Sequence, residues 1–321
     1  MIPKILIIGA CGQIGSELTA RLRQIHGSEN VIASDIREGN DAVVKSGPFE
    51  ILDATSMDAL EDVIQYYEIT EVYLMAAMLS ATSERFPMKG WQLNMETLFN
   101  VLNLAKDDKI DKVFWPSSIA VFGPTTPKDD TPQFTIMEPS TVYGISKQTG
   151  ERWCEYYHKR YGVDVRSLRY PGLISYKTLP GGGTTDYAID IFHAALKDRT
   201  YQCFLKEDTS LPMMYMEDAI EATIQIMMAD AKDIKIRSSY NLAAISFTPE
   251  ELYLAIKKHI PEFTITYEPD FRQAIADSWP SSIDDSHARQ DWGWQNSYNL
   301  DEIAEIMIEG LSPKAFIEFE G

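Results

Sequence analysis

The chain of 321 residues has only three cysteines and five histidines. Cys11, Cys154 and Cys203 stand far apart, without CxxC spacing and without histidines at ligand distances. A disulfide framework and a zinc cluster are therefore excluded, no metal is expected, and the thiols suit small buried or half-buried sites in a reducing compartment. Basic charge is short as well: 29 lysines and arginines face 48 acidic residues, for a net charge of −19. A surface of that sign repels phosphate backbones and anionic headgroups, so no nucleic acid and no membrane is expected as a partner. Long apolar runs are missing near the start, where Ile5–Ile8 is too short for a signal core or a membrane span. The expectation is a soluble, cytoplasmic protein. No repeat, low-complexity stretch or flexible linker divides it.

What is present is an alternation of short apolar runs with segments of helical period. Strands are predicted at 4–8, 30–34, 49–52, 71–75, 112–116 and 164–169, and helices at 13–24, 56–66, 91–106 and 141–161. Strands and helices that alternate across short turns give a parallel sheet with right-handed crossovers and helices on both faces. The fold class is thus α/β, with a doubly wound parallel sheet whose ligand belongs at the carboxyl ends of the strands. Residues 1–172 form this domain, with returns at about 214–245 through a helix at 216–229 and a strand at 239–242. Residues 173–213 and 246–321, with helices near 249–259 and 300–310, are assigned to a smaller interleaved lobe that binds substrate.

The first strand runs directly into Gly9, Ala10, Cys11, Gly12, Gln13, Ile14 and Gly15, where a helix begins. Glycines at Gly9, Gly12 and Gly15 permit a tight turn, let backbone N–H groups reach a pyrophosphate, and let helix and sheet pack closely. Asp35 closes the second strand, twenty residues past Gly15. A carboxylate there accepts hydrogen bonds from ribose hydroxyls and repels a 2′-phosphate, which favours NAD over NADP, with Arg37 a partial counterweight. Asp53 follows the third strand, either to bond the adenine amino group or to cap the next helix. Ala76, after the fourth strand, is small enough for a dinucleotide to pass.

Tyr143 and Lys147 stand four apart, hence on one face of the helix that starts near Thr141. A lysine cation close to a phenol favours the phenolate and lowers its pKa toward a working range. The fifth strand ends near Ser117 and Ser118, where a hydroxyl could hold a substrate oxygen against the tyrosine.

These pieces resemble the extended short-chain dehydrogenases, whose members include nucleotide-sugar epimerases. The match runs through Gly9–Gly15, Asp35, Asn94, the segment from Pro116 to Gly123, the segment from Tyr143 to Lys147, the segment from Arg169 to Gly172, and the segment from Asp284 to Trp294. The resemblance implies a Rossmann sheet, NAD held by Gly9, Gly12, Gln13, Ile14, Gly15, Asp35, Asp53, Ala76, Asn94, Tyr143 and Lys147, and catalysis by Ser118, Tyr143 and Lys147. Ser117 is the alternative to Ser118. Within this family, the run from Leu173 through Gly181, Gly182, Gly183, Thr184 and Thr185 is similar to that of the short-chain L-threonine 3-dehydrogenases. That similarity implies oxidation of L-threonine to 2-amino-3-oxobutanoate, with Ser80, Ser118, Tyr143, Gly182, Thr184 and Thr185 around the substrate. A flexible hinge is the other reading of the glycine run.

Two other functions fit parts of the pattern. A nucleotide-sugar epimerase or dehydratase needs basic groups for a diphosphate, and Lys177, Lys197, Arg199 and Lys206 lie in the lobe. A non-enzymatic NAD-binding regulator has no use for a serine, tyrosine and lysine set. By resemblance, helices 91–106 and 141–161 pair across a homodimer, with Leu98, Val101, Leu102, Trp153, Tyr156 and Tyr157 as apolar candidates. A face buried within one chain would carry the same pattern.

Overall fold

The computed structural model describes residues 2–39, 41–177, 181 and 183–312. In chain order, the first half comprises β1 (Ile5–Ile8), α1 (Gln13–His26), β2 (Val31–Asp35), α2 (Asp41–Lys45), β3 (Phe49–Ile51), α3 (Met57–Tyr67), β4 (Glu71–Leu74), α4 (Ser80–Arg85), α5 (Pro87–Lys106), β5 (Lys112–Ser118), α6 (Val142–Tyr161) and β6 (Asp164–Tyr170). The second half adds β7 (Gly172–Ile174), α7 (Tyr187–Lys197), β8 (Thr200–Cys203), β9 (Leu211–Tyr215), α8 (Met216–Met228), β10 (Tyr240–Asn241), β11 (Ile245–Phe247), α9 (Pro249–His259), β12 (Thr264–Tyr267), α10 (Phe271–Ala276), α11 (Ser286–Trp292) and α12 (Leu300–Leu311).

Seven strands form one sheet in the order β10-β6-β5-β4-β1-β2-β3, every pair parallel. The winding reverses between β1 and β4, so a crevice opens at their carboxyl ends, as in other Rossmann sheets. β1 shows why its apolar run does not alternate. Ile5 and Ile7 enter a core that includes Leu18 and Leu22 of α1 and Ile220 and Ile224 of α8. Leu6 and Ile8 enter a second core, with Leu60 and Ile64 of α3 and Leu98, Val101 and Leu102 of α5. A strand covered on both faces needs apolar residues at every position.

The returns at α8 and β10 stand close to the predicted places. The later segments hold more strand than predicted: β11, β9 and β7 form a three-stranded sheet and β12 pairs with β8. Each of these strands is three to five residues long, too short for a periodic pattern to announce. A third core unites α7, α9 and α12 through Phe192, Leu252, Ile256 and Met307. Among the described residues, no helix is long and apolar enough to cross a membrane.

Candidate active site

The turn from β1 to α1 depends on its glycines. Gly9 has φ +89°, and a Cβ there would lie 2.6 Å from the backbone nitrogen of Ala76. A Cβ on Gly15 would lie 2.2 Å from the Gly9 carbonyl oxygen. Helix α1 therefore sits on β1 and β4 at a distance that no side chain at either position permits. Gly12 is the N-cap and supplies no side-chain cap to the first-turn N–H groups. Beside them, the Gln13 side-chain nitrogen is buried without a hydrogen-bond partner among the described residues. An orphaned donor and an uncapped helix start fit an anionic ligand such as a pyrophosphate. Ile14 packs against the core beneath.

Asp35 is buried at the end of β2, where its carboxylate accepts from the Cys11 N–H at 3.1 Å and lies 3.9 Å from Arg37. The acid thus joins the glycine turn directly, and the arginine approaches loosely from an exposed position. Asp53 is exposed and accepts from the Thr55 N–H at 3.0 Å and its hydroxyl at 2.7 Å. Ser56, not Asp53, caps α3 by accepting from Ala59 at 3.4 Å. The Asn94 side chain, also buried, brackets the loop after β4: it accepts from the Met78 N–H at 2.8 Å and donates to the Met78 carbonyl and the Ser146 hydroxyl, both at 3.2 Å.

Tyr143 lies in the first turn of α6. Thr141 caps this helix by accepting from Gly144 at 3.1 Å, and Glu84 of α4 accepts from the Val142 N–H at 2.8 Å. A Cβ on Gly144 would lie 2.1 Å from the Ala120 carbonyl oxygen, so the helix start rests against the turn that follows β5. That contact sets the Tyr143 hydroxyl beside Ser118. Burial pushes the Tyr143 phenol up to about 12, and the Ser118 hydrogen bond pulls the other way.

Lys147 lies close to the phenol but makes its hydrogen bond elsewhere. Its Nζ donates to the Pro116 carbonyl at 2.5 Å and lies over the rings of Trp115 and Tyr143, 4.6 and 5.5 Å from their centroids. Burial pushes its ammonium down to about 7, opposed by Cys154 and Glu151.

A model of the NAD-dependent epimerase/dehydratase family matches residues 5–243. The chain belongs to that family. Its cofactor is NAD. An uncharacterized epimerase/dehydratase of Staphylococcus haemolyticus is 47% identical over 313 residues, 97% of this chain and 98% of that protein. Among solved structures, a partial consensus L-threonine 3-dehydrogenase is 60% identical at a TM-score of 0.94, covering 96% of this chain and 99% of that one. A GalE-like L-threonine dehydrogenase from Cupriavidus necator in its holo form is 58% identical at a TM-score of 0.94, covering 97% and 100%. Membership together with these structural neighbours supports an oxidoreductase-type enzyme.

Against this family background, the predicted residues fall into two groups. Gly9, Gly12, Gln13, Gly15, Asp35 and Ala76 are brought together at the β1, β2 and β4 ends, and Ser118, Tyr143 and Lys147 at the β5 end. Of the two serines, Ser118 lies beside Tyr143, whereas the Ser117 hydroxyl is buried and donates to Glu151 at 2.7 Å. Ser80 is buried at the start of α4. Gly181 approaches this edge, since a Cβ there would lie 3.0 Å from Leu79. Gly182 lies outside the described residues. Thr184 is buried and Thr185 half-buried, both in the turn that leads into α7. The Gly183 N–H donates to Asp186 at 2.6 Å. Sequence reasoning missed Glu84 and Glu151. The second had a readable signal, standing one helical turn beyond Lys147.

Proposed function

We propose that this protein is a cytoplasmic L-threonine 3-dehydrogenase of threonine catabolism, oxidising the threonine side-chain hydroxyl to 2-amino-3-oxobutanoate with reduction of NAD. The observation that carries the chemistry is the pairing of Tyr143 with Ser118 at the carboxyl end of β5. The substrate choice draws support from the sequence of the glycine and threonine run, whose Gly181 lies against Leu79, and from the two solved relatives named as threonine dehydrogenases. Residues 173–213 and 246–321 serve as the substrate-binding lobe in this reading.

NAD, when bound, supplies the hydride acceptor. The Gly9–Gly15 turn with Gln13 would hold its pyrophosphate, Asp35 its adenosine ribose, Lys147 its nicotinamide ribose, with Asp53 and Asn94 at the margins. Ser118 holds the substrate hydroxyl by a hydrogen bond and fixes its orientation. Tyr143, as phenolate, takes the hydroxyl proton as the carbon–oxygen double bond forms and the hydride leaves the same carbon. A phenol held near 12 is seldom ionised at neutral pH, so the oxidative rate rises as the solution becomes more alkaline. Thr184, Thr185, Ser80 and the Gly182 region are assigned to the zwitterionic end of the substrate.

The family also contains enzymes of nucleotide sugars, for which the lobe would have to present free basic groups. Of its four candidates, Lys177 is paired with Glu17 at 3.2 Å and Glu217 at 3.7 Å, and Arg199 with Glu262 at 3.3 Å, which leaves only the exposed Lys197 and Lys206. A panel of L-threonine, L-allo-threonine, L-serine, 3-hydroxybutyrate and a UDP-sugar, read by NADH absorbance, tests the proposal. L-Threonine should give the highest kcat/KM. Turnover of the UDP-sugar alone would replace this reading with the epimerase one, and NAD binding without any turnover would favour a regulator.

A homodimer through α5 and α6 is part of the same reading, on a narrower set of residues than the sequence offered. Leu98, Val101, Leu102 and Tyr157 are buried within the chain's own core and can contribute no interface. Trp153 and Tyr156 are exposed, with Trp153 set edge-on to Phe99 at 5.0 Å. Light scattering at micromolar concentration should return twice the chain mass, and the mass of one chain would remove the dimer.

A further inference from the structure

The face of α6 that carries Tyr143 and Lys147 continues to Glu151, one turn further on. Glu151 is fully buried, and so is Arg169 of β6 at 1% exposure. The two are joined as a fork, with Arg169 Nε and Nη2 each donating to one Glu151 oxygen at 2.8 Å. Arg169 Nη1 donates onward to the Gln133 carbonyl at 3.0 Å and Asn241 Oδ1 at 2.8 Å. Ser117 adds its hydroxyl to Glu151 Oε1 at 2.7 Å.

Three successive residues of β5 therefore meet three successive turns of α6. The Pro116 carbonyl accepts from Lys147, the Ser117 hydroxyl donates to Glu151, and Ser118 lies beside the Tyr143 hydroxyl. Ser117 shares the inward side of the strand with Val113 and Trp115, which lie in the core beneath α5 and α6. Ser118 closes the strand at the crevice.

A buried ion pair is a poor device for stability, because desolvation of two charges offsets most of their attraction. A bidentate fork does supply geometry, since both charges and their hydrogen bonds are met only in one arrangement. Active-site side chains depend on such support, as a displacement of about 1 Å can cost on the order of a hundredfold in rate.

We propose that Ser117, Glu151 and Arg169 form a positioning rung that fixes α6 along β5 and so holds the Tyr143 hydroxyl at Ser118. The rung touches neither substrate nor cofactor and acts through Tyr143. It rests on the reading of Tyr143 as acid/base, but not on threonine as the substrate.

The experiment compares Ser117→Ala, which removes one donor and keeps the ion pair, with Ser117→Thr, which restores the hydroxyl. The substrate is whichever member of the panel the wild type turns over, so a wrong substrate choice shows in the wild type and a wrong rung shows only in the variants. Ser117→Ala should lose about tenfold in kcat. Its KM and its Kd for NAD should stay within about twofold, and Ser117→Thr should recover most of the rate. Glu151→Gln, of the same shape, should lose more kcat than Ser117→Ala at unchanged NAD affinity. It carries the comparison if Ser117→Ala does not fold. A Ser117→Ala enzyme with wild-type kcat, no rescue by threonine, or a fall in NAD affinity in step with kcat would each overturn the proposal.

Discussion

The protein has two glycine-rich segments at its crevice, and they are built on different terms. At Gly9 and Gly15 the space for a side chain is occupied by backbone, at 2.6 and 2.2 Å, and Gly9 also holds φ +89°. At Gly181 and Gly183 that space meets only the ends of side chains, Leu79 at 3.0 Å and Asp186 at 2.9 Å, with no left-handed φ. Backbone cannot yield, whereas a side chain can rotate away. The first segment is thus fixed by the fold, as the proposed pyrophosphate site requires, while the second is adjustable, as the proposed substrate end requires. Changes at the chemical centre and then at each segment separate these roles by size of effect.

The largest effect belongs to the residue both segments serve. Tyr143→Phe removes only the hydroxyl that meets Ser118 and should lower kcat by on the order of 10³-fold. NAD affinity, set on the other side of the crevice, should stay within about twofold. Stopped-flow turnover and fluorescence titration of NAD check the two halves. More than about a tenth of wild-type turnover would mean that another group moves the proton. In the wild type, kcat should climb from neutral toward alkaline pH, because burial raises the Tyr143 phenol.

Gly15→Ala comes next. Its Cβ would collide with the Gly9 carbonyl, so α1 must move off β1 at a cost of about 1–3 kcal/mol. NAD affinity should fall by about tenfold or more, since the shift displaces the N–H groups of the helix start. Urea unfolding and an NAD titration measure both. Unchanged affinity would show that the turn does not carry the dinucleotide.

These two regions also differ in how far the sequence disclosed them. The glycine turn was legible because its function requires backbone contacts that only glycine allows, at a fixed distance from the strand that ends in Asp35. The placing of Ser118 near Tyr143 was half legible: helical spacing gave Tyr143 and Lys147, and resemblance gave Ser118 with Ser117 as the alternative, but spacing alone could not choose within the serine pair. Spacing gave the closeness of Lys147 to Tyr143 but not the direction of its Nζ, which turns to the Pro116 carbonyl while lying over the Tyr143 ring. The short strands β7, β8, β9, β11 and β12 were not legible, since their pairing is set by distant partners. Leu98, Val101 and Leu102 carried an apolar stripe that could not say whether it faced a second chain or its own sheet. It faces its own sheet.

A smaller effect distinguishes the buried lysine from its neighbours. Burial pushes Lys147 down to about 7 from an ordinary value of 10.5. Between those values the folded chain holds fewer protons than the unfolded one, so Lys147 makes stability rise with pH across that window. Lys147→Met removes the contribution. The stability of wild type relative to this variant should therefore improve as pH rises from about 7 toward 10.5, which urea unfolding at several pH values will measure. A pH-independent difference would mean that the ammonium keeps its charge in the folded chain.

Gly183→Ala should have the smallest effect and is the sharpest test of the contrast between the two segments. The added Cβ would lie 2.9 Å from Asp186 Oδ1, and the carboxylate can swing aside at the expense of its bond to the Gly183 N–H. A hydrogen bond of that kind contributes about 1 kcal/mol net. The loss of backbone freedom in the unfolded chain offsets about 0.4–1 kcal/mol of it. Stability should thus change by less than about 1 kcal/mol and NAD affinity not at all, while the KM for substrate rises, because Asp186 leads into α7 from the threonine turn. If Gly183→Ala instead cost as much NAD affinity as Gly15→Ala, the second segment would belong to the cofactor, and the division of the crevice into a rigid half and an adjustable half would fail.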